Sequence, residues 1–313
     1  MQLIALAGPT AVGKSEVALL LAEKLGGEIV SVDSMQVYRG LDIGTAKPSQ
    51  AQRQRVPHHL VDVADLNETF DAARFAWLAE QAISEIQGRV RVPILCGGTG
   101  LYFQALFEGL GEAPPSDPVL RAQLETMPLG DLLNELQERD PKTHESIDRQ
   151  NPRRVIRALE VIRLTGRPFS EQRAAWAKQN ARNLPFFVLT RERTDLHRRI
   201  DARVEEMFDH GLVEETANLL QRGLAENRSA SQAIGYRQVI DHLRGEHSLK
   251  DTIALIKTKT RQFAKRQMTW FRKYGAAQVI NIKAGDTAGD IVGAITPQLT
   301  IRDEYRSGET QES

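Results

Sequence analysis

The chain has 313 residues, 41% of them hydrophobic and 26% charged, and its 41 basic and 41 acidic side chains balance, so composition predicts an ordinary globular protein of one or two domains and gives no sign of a nucleic-acid partner. The single cysteine, Cys96, excludes an internal disulfide and is usual in a reducing compartment. No apolar run reaches the length of a signal peptide or a membrane span, so we expect a cytoplasmic protein with no membrane association.

The first hundred residues alternate between predicted strands and helices. Residues 2–7 are a short apolar run that stops at a glycine, as a buried parallel strand would, and residues 15–25 have helical periodicity. Further strands are predicted at 28–32, more weakly at 60–63, and at 92–96, with helices at 69–87, capped by Thr69, and at 99–107. Strands that alternate with helices indicate a parallel sheet with crossover helices.

The alternation breaks at a Pro-rich linker, residues 112–118. From there to about residue 179 only helical patterns are visible. A strand at 186–189, long helices at 194–210 and 249–274, and a last strand at 279–282 then follow. The predicted domains are an α/β core in two parts, 1–114 and 184–300, a helical insert at 115–183, and a disordered tail at 301–313.

A phosphate-binding loop follows the first predicted strand. Residues 8–15 read GPTAVGKS, which fits G-x-x-x-x-G-K-[ST] in full and lies between a strand and a helix. Glycines let backbone N–H groups turn inward at the positive end of the helix dipole, a lysine adds charge, and a serine hydroxyl can hold Mg²⁺. With the alternating elements, this loop predicts a P-loop NTPase-like parallel sheet with flanking helices, interrupted by an all-helical insertion domain. The expected phosphate ligands are Gly8, Thr10, Ala11, Gly13, Lys14 and Ser15.

Two further strand ends carry candidate chemistry. The strand at 92–96 ends in the turn GGTG around Thr99, without the acidic residue that most P-loop ATPases use to hold Mg²⁺. Thr99 could donate to a phosphate or be a plain helix cap. Asp33 ends the second strand, at the sheet edge where ligands bind, and could accept a proton from a substrate nucleophile or cap a turn. Spacing alone leaves these alternatives open.

Taken together, these segments resemble the tRNA dimethylallyltransferase family, also called tRNA isopentenyltransferases. They occur in the family's order from about residue 3 to residue 273, and all but the phosphate loop are specific to it. The matching segments are GPTAVGKS at 8–15, DSMQVY at 33–38, DIGTAKP at 42–48, HHLVD at 58–62, GGTGLY at 97–102, RVIRALE at 154–160, GYRQ at 235–238 and KTRQFAKRQMTWFRK at 259–273.

This resemblance implies a reaction. The chain would transfer a dimethylallyl group from dimethylallyl pyrophosphate to the exocyclic amine of the adenosine on the 3′ side of a tRNA anticodon, with that base flipped into a channel. The loop would hold the pyrophosphate with Mg²⁺, Asp33 would be the general base, and Thr99 would hold the pyrophosphate or orient the reacting groups. Arg203 is a further candidate pyrophosphate ligand; the alternative is a solvated arginine paired with Glu205 or Glu206.

The expected tRNA partner would dock through its anticodon stem-loop. Residues 257–273 carry seven positive charges and no acidic residue, which suits a phosphate backbone, while the interleaved aromatics fit a core better than a stacking platform. The insert faces the stem-loop by resemblance, although Arg154 and Arg157 could instead pair with Asp148 and Glu160. Gln36 can hydrogen-bond the flipped adenine or its neighbour. The expected RNA contacts are Asp33, Ser34, Met35, Gln36, Arg121, Arg153, Arg154, Arg157, Gly235, Tyr236, Arg237, Lys265, Arg266 and Arg272.

Three other functions remain open on the residues alone. An adenylate isopentenyltransferase shares the core motifs but needs neither the insert nor the basic helix. A small-molecule P-loop kinase would use Asp33 as base and ATP in the loop. A non-catalytic RNA-binding protein would not need an intact site. Nothing in the sequence demands an oligomer, so we expect a monomer with no obligatory protein partner.

Overall fold

The fold is built on one parallel sheet. The computed structural model describes residues 2–109, 113–174, 184–275 and 277–299. The tail predicted at 301–313 and the predicted end of the insert lie outside those residues. Within the described ranges the sheet has six strands in the order β3-β2-β4-β1-β5-β6. They are β1 (Ile4–Ala7), β2 (Gly27–Val32), β3 (His58–His59), β4 (Val92–Gly97), β5 (Phe186–Arg191) and β6 (Gln278–Ile282).

The helices of the described residues follow the strands as a crossover fold requires. In chain order they are α1 (Lys14–Leu25), α2 (Gln50–Arg55), α3 (Ala72–Gly88), α4 (Gly100–Phe107), α5 (Pro118–Glu125), α6 (Leu129–Arg139), α7 (Pro141–Ser146), α8 (Pro152–Thr165), α9 (Phe169–Ala174), α10 (Arg193–Asp209), α11 (Leu212–Leu220), α12 (Tyr236–Leu243), α13 (Leu249–Phe271) and α14 (Ala288–Ile295). None of them is both long and apolar enough to cross a membrane.

The central strands are buried on both faces, which explains their continuous apolar runs. All residues of β1 and β2 are buried. In the parallel register Ala7 lies opposite Gly97, and Val32 also lies opposite Gly97. The carboxyl ends of β1, β2 and β4 therefore meet at one edge of the sheet, where the phosphate loop, Asp33 and Thr99 follow. The predicted P-loop-like α/β fold is confirmed.

Two local predictions were wrong. Residues 60–63 do not form a strand, because Leu60 and Asp62 adopt positive φ angles of 60° and 57° and β3 ends at His59. The long helix α3 begins after Asp71 rather than Thr69, since the carboxylate of Asp71 accepts the backbone N–H of Arg74. An ionised carboxylate is the better acceptor for the open N–H groups of a first turn.

Two compact units make up the chain, residues 1–103 with 183–313, and residues 104–182. In the second unit the described residues form only helices. They enclose a hydrophobic core of their own, in which α5, α6 and α8 pack together. Leu136 and Leu159 have no exposed surface within it, so this unit has the buried interior that an independent domain needs.

Candidate active site

The loop before α1 has the conformation of a phosphate cradle. Gly8 and Gly13 have φ angles of 150° and 109°, and Ala11 has one of 62°, a region that side chains disfavour. A Cβ at Gly8 would also overlap the carbonyl oxygen of Leu189. Gly13 is the N-cap residue of α1 and offers no side chain to cap it, so the first N–H groups of that helix are open to an anion.

Lys14 lies half-buried at the start of this helix. Its Nζ donates to the carbonyl oxygen of Pro9 at 2.7 Å. Burial lowers the pKa of Lys14 to about 8; Cys96 and Asp33 oppose that shift and Arg203 adds to it. A bound polyanion would favour the charged form again, so this lysine is matched to an anionic ligand.

Arginines hold the loop from its other side. Arg191, at the end of β5, donates from Nε to the carbonyl oxygen of Val12 at 2.9 Å, and Arg199 of α10 donates in the same way to that of Ala11 at 2.9 Å. Sequence reasoning missed Arg191. Its position at the carboxyl end of a strand beside the loop was the available signal.

Arg203 faces the loop, not the glutamates that were its alternative partners. Its Nη1 lies 3.5 Å from Oγ1 of Thr10. Burial lowers the pKa of its guanidinium, which Asp33 and Glu206 partly restore. The resulting cation borders both the loop and the Asp33 carboxylate.

Asp33 and Thr99 lie side by side past the ends of β2 and β4. Oδ1 of Asp33 accepts the backbone N–H of Met35 at 2.8 Å and that of Gln36 at 3.2 Å, so one oxygen caps its own turn. The other carboxylate oxygen has no hydrogen-bond partner among the described residues and is open to a ligand. Oγ1 of Thr99 accepts the N–H of Ser34 at 3.1 Å, which ties the two turns together.

A cavity of about 290 Å³ joins Asp33 and Thr99 to Thr10 of the loop and to Arg203. Ser34 and Met35 also line it. The other walls are mainly apolar and come from α10, α13 and the segment before α12. They include Ile200, Val204, Met207, Ile234, Ile256 and Phe263. An anion cradle, a free carboxylate oxygen and an apolar wall within one cavity suit a small apolar group carried on phosphates.

The half-buried amide of Gln36 is hydrogen-bonded within the protein, and its expected contact with the adenine stays a prediction. Its Oε1 accepts the hydroxyl of Ser31 at 2.9 Å, and its Nε2 donates to the carbonyl oxygen of Thr45 at 3.2 Å. The amide therefore supports the loop of residues 42–48. Lys47, with 2% of its side chain exposed, anchors the same loop through three oxygens, on Tyr38, Asp42 and Asp62.

Tyr236, which was expected to contact RNA directly, has no exposed surface in this structure. The side chain is 0% exposed, and its hydroxyl donates to Glu215 at 2.5 Å and accepts the N–H of Gly44 at 3.1 Å. A Cβ at Gly44 would overlap the tyrosine ring. Gly235 is buried as well, whereas Arg237 is exposed. This segment thus supports the 42–48 loop through Tyr236, while the exposed Arg237 pairs with Asp241 at 3.2 Å.

The basic helix α13 presents its cations to different surroundings. Lys257 and Arg261 pair with Glu205 and Asp201 of α10, so carboxylates from another helix neutralise them. Arg266 lines the Asp33 cavity. Lys265 and Arg272 line a separate groove of about 1250 Å³. Three residues in or just after α13 were expected to touch RNA, and they do not line one common cavity: Lys265, Arg266 and Arg272.

The second unit separates its arginines into paired and free ones. Glu160 is 0% exposed and accepts Nη1 of Arg157 at 2.7 Å, which is the salt bridge named as the alternative to RNA contact. Arg121 lies 3.3 Å from Glu125 and 3.8 Å from Glu160. Arg153 and Arg154 are exposed and have no carboxylate partner within the described residues.

Comparisons with known proteins agree with this geometry. A family model described as IPP transferase matches residues 36–274. The chain is 48% identical to tRNA dimethylallyltransferase 1 of Citrifermentans bemidjiense over 274 residues, which cover 87% of this chain and 90% of that protein. The tRNA isopentenylpyrophosphate transferase of Bacillus halodurans superposes with a TM-score of 0.69 at 40% identity, covering 95% and 96% of the chains. A eukaryotic dimethylallyltransferase acting on tRNA gives a TM-score of 0.81 at 27% identity, covering 97% and 82%.

Proposed function

The chain belongs to the tRNA dimethylallyltransferase family, and from that membership and the site geometry we propose its reaction. It transfers a dimethylallyl group from dimethylallyl pyrophosphate to the exocyclic amine of the adenosine on the 3′ side of the anticodon in tRNA. One observation carries the proposal: Thr10 and Ala11 of the phosphate loop line the same cavity as Asp33, one of whose carboxylate oxygens has no partner among the described residues, and the other walls are largely apolar.

The phosphate loop binds the pyrophosphate of the donor. The open N–H groups at the start of α1 face it, while the ammonium of Lys14 and the guanidinium of Arg203 offset its charge. The bond from the dimethylallyl carbon to the pyrophosphate oxygen breaks as the bond to the adenine nitrogen forms. Because the leaving group gains negative charge in that step, cations fixed around the loop stabilise the transition state more than the bound donor.

Asp33 takes the proton that the amine loses. An adenine amine is a weak nucleophile, but its protons become acidic as it attacks, so a carboxylate can remove one late in the reaction. Two backbone N–H groups hold Oδ1 of Asp33, which leaves Oδ2 for the proton. Thr99 orients this turn through its bond to Ser34.

A magnesium ion fits the residues around the loop. No three His, Cys, Asp or Glu side chains come together in the described part of the chain, and Mg²⁺ does not need such a cage, because it keeps several waters and takes one or two protein ligands beside phosphate oxygens. Ser15, an exposed residue in the first turn of α1, would be that ligand through its hydroxyl. The ion would supply charge neutralisation on the pyrophosphate.

The tRNA contacts that we propose come from both units. Arg153 and Arg154 of the helical unit are the exposed cations for the anticodon stem-loop; on the sheet unit Arg237 is exposed, and Arg266, also exposed, lines the Asp33 cavity. Ser34 and Met35 line the cavity that the flipped base enters. We propose a cytoplasmic monomer that acts without a protein partner.

Transfer of radioactive label from dimethylallyl pyrophosphate, with Mg²⁺, tests the function. The acceptors compete: a tRNA transcript with adenosine at the third anticodon position and the next, and free adenosine monophosphate. A transcript with guanosine in place of the target adenosine is the matched control. Label in the first tRNA alone supports the proposal. Label in the mononucleotide would move the protein to the adenylate branch, and no label in either acceptor would contradict prenyl transfer.

A further inference from the structure

Gln267 of α13 joins the phosphate loop to the turn after β4. The side chain is 7% exposed. Its Oε1 accepts the backbone N–H of Thr10 at 2.9 Å, and its Nε2 donates to the carbonyl oxygen of Gly98 at 2.9 Å. Both polar ends of the amide are thus satisfied, and turning it by half a rotation would place donor on donor and acceptor on acceptor.

The two segments that Gln267 connects are the two halves of the candidate active site. Thr10 belongs to the loop that binds pyrophosphate. Gly98 precedes Thr99, whose hydroxyl oxygen accepts the N–H of Ser34, next to Asp33. One buried amide therefore connects the loop to the residue before Thr99, and the Thr99 hydroxyl in turn holds the turn of the general base.

Two details show how closely the Gln267 amide fits between Thr10 and Gly98. A Cβ at Gly98 would overlap Nε2 of Gln267, so only glycine leaves room for the bond. The N–H of Thr10 would otherwise be free to turn toward the phosphate, as N–H groups of such loops do. Its bond to Gln267 turns it away, which fixes the orientation of the loop before any donor binds.

We propose that Gln267 is a positioning residue for prenyl transfer, which sets the separation between the donor's pyrophosphate and the carboxylate of Asp33. The proposal rests on the proposed function. Gln267 acts through Thr10 and Gly98, and bond-forming steps are sensitive to such positions: a shift of about 1 Å can lower a rate about a hundredfold. Its effect therefore belongs in kcat more than in the affinity for either substrate.

The test compares Gln267→Met with Gln262→Met. Methionine keeps the volume of glutamine without its hydrogen bonds, and Gln262 lies exposed on the same helix with no hydrogen-bond partner in the described residues. We expect kcat of Gln267→Met to fall at least about tenfold with both KM values within about threefold, and Gln262→Met to match the parent. Gln267→Glu keeps the acceptor for Thr10 but sets a carboxylate oxygen against the carbonyl oxygen of Gly98, so its kcat should fall at least as far as that of Gln267→Met.

Amide hydrogen exchange at Thr10 supplies a readout that needs no turnover. In Gln267→Met the Thr10 N–H loses its acceptor and should exchange faster than in the parent. A kcat within twofold of an active parent would overturn the positioning role while leaving the proposed function intact. If the parent transfers no label to tRNA, the proposed function fails. Unchanged exchange at Thr10 in Gln267→Met would overturn the hydrogen-bonded link between Thr10 and Gly98, whatever the activity.

Discussion

The N–H of Ser34 donates a hydrogen bond to Oγ1 of Thr99 at 3.1 Å, joining the turns that follow two neighbouring parallel strands. The register sets Val32 opposite Gly97, so both turns start at the same level of the sheet. Asp33 is thereby held between a strand end and a side chain that approaches from the next strand. Activity should therefore depend on the ability of this side chain to accept a proton, even where a substitution keeps the hydrogen bonds of the turn.

Replacing Asp33 by asparagine removes the general base but keeps the hydrogen bonds of its turn. The amide oxygen can still accept the N–H groups of Met35 and Gln36, but the side chain no longer accepts a proton. We expect kcat for prenyl transfer to fall by about 10²–10⁴, with the Kd for tRNA within about twofold, measured by filter binding. Asp65→Asn, at an exposed ion pair with Arg39, is the control. Turnover in Asp33→Asn equal to that of the control would contradict the assignment.

The charge on Lys14 should give donor binding an alkaline limb. Its pKa of about 8 in the free site rises when pyrophosphate binds, so its contribution to affinity is fully present below pH 8 and is lost as pH rises above it. We expect kcat/KM for dimethylallyl pyrophosphate to fall up to about tenfold per pH unit there. Lys14→Arg, whose guanidinium keeps its charge, should lack the limb. A flat profile for the parent up to about pH 10 would disprove this protonation role.

Arg154 and Arg157 should differ when each is changed to alanine. Arg154 is exposed and unpaired in the described structure, so its loss should lower the salt dependence of tRNA binding by about 0.7–0.9 in log–log slope, without changing stability. Arg157 pairs with the buried Glu160, so its loss should cost about 1–3 kcal/mol of unfolding free energy. Urea unfolding and tRNA titrations at several salt concentrations measure both. Equal salt slopes for parent and Arg154→Ala would argue against phosphate contact.

Tyr236→Phe tests whether Tyr236 supports the 42–48 loop or contacts the tRNA directly. Loss of the hydroxyl removes one hydrogen bond from Glu215 and the shorter of the two hydrogen bonds made by the N–H of Gly44, so we expect stability to fall by about 1–2 kcal/mol and KM for the donor to rise as the 42–48 loop loosens. The Kd for tRNA should stay within about twofold. Arg237→Ala, a change at the exposed neighbour, should weaken tRNA binding and leave stability and the KM for the donor nearly unchanged. Weakened tRNA binding by a fully stable Tyr236→Phe would restore the direct contact.

Sequence patterns predicted those parts of the site that depend on strand ends. The phosphate loop, Asp33 and Thr99 each follow an apolar run, and the ends of parallel strands meet at one edge. Gln267 was not singled out, because its partners Thr10 and Gly98 lie far away in the chain. Helical spacing tells which side chains share a face, and it does not tell what that face meets.

The burial of Tyr236 and the pairing of Arg157 were hidden for the same reason. An aromatic or a cation in a family motif can touch the ligand or hold the residue that does. Tyr236 supports Gly44 from outside the loop, and Arg157 finds Glu160 one turn further along α8. The spacing of Arg157 and Glu160 permitted that salt bridge, and only the burial of Glu160 decided for it.

The strand order also bears on how the chain is made. The central strand β1 pairs with β4 on one side and β5 on the other, and the whole helical unit is translated between those two partners. While the ribosome makes that unit, one edge of β1 has no strand to pair with, although the chain has long left the exit tunnel. High sequence separation between pairing strands slows folding and leaves open edges exposed to aggregation. Synthesis of residues 186–191 is therefore the step that covers the open edge of β1.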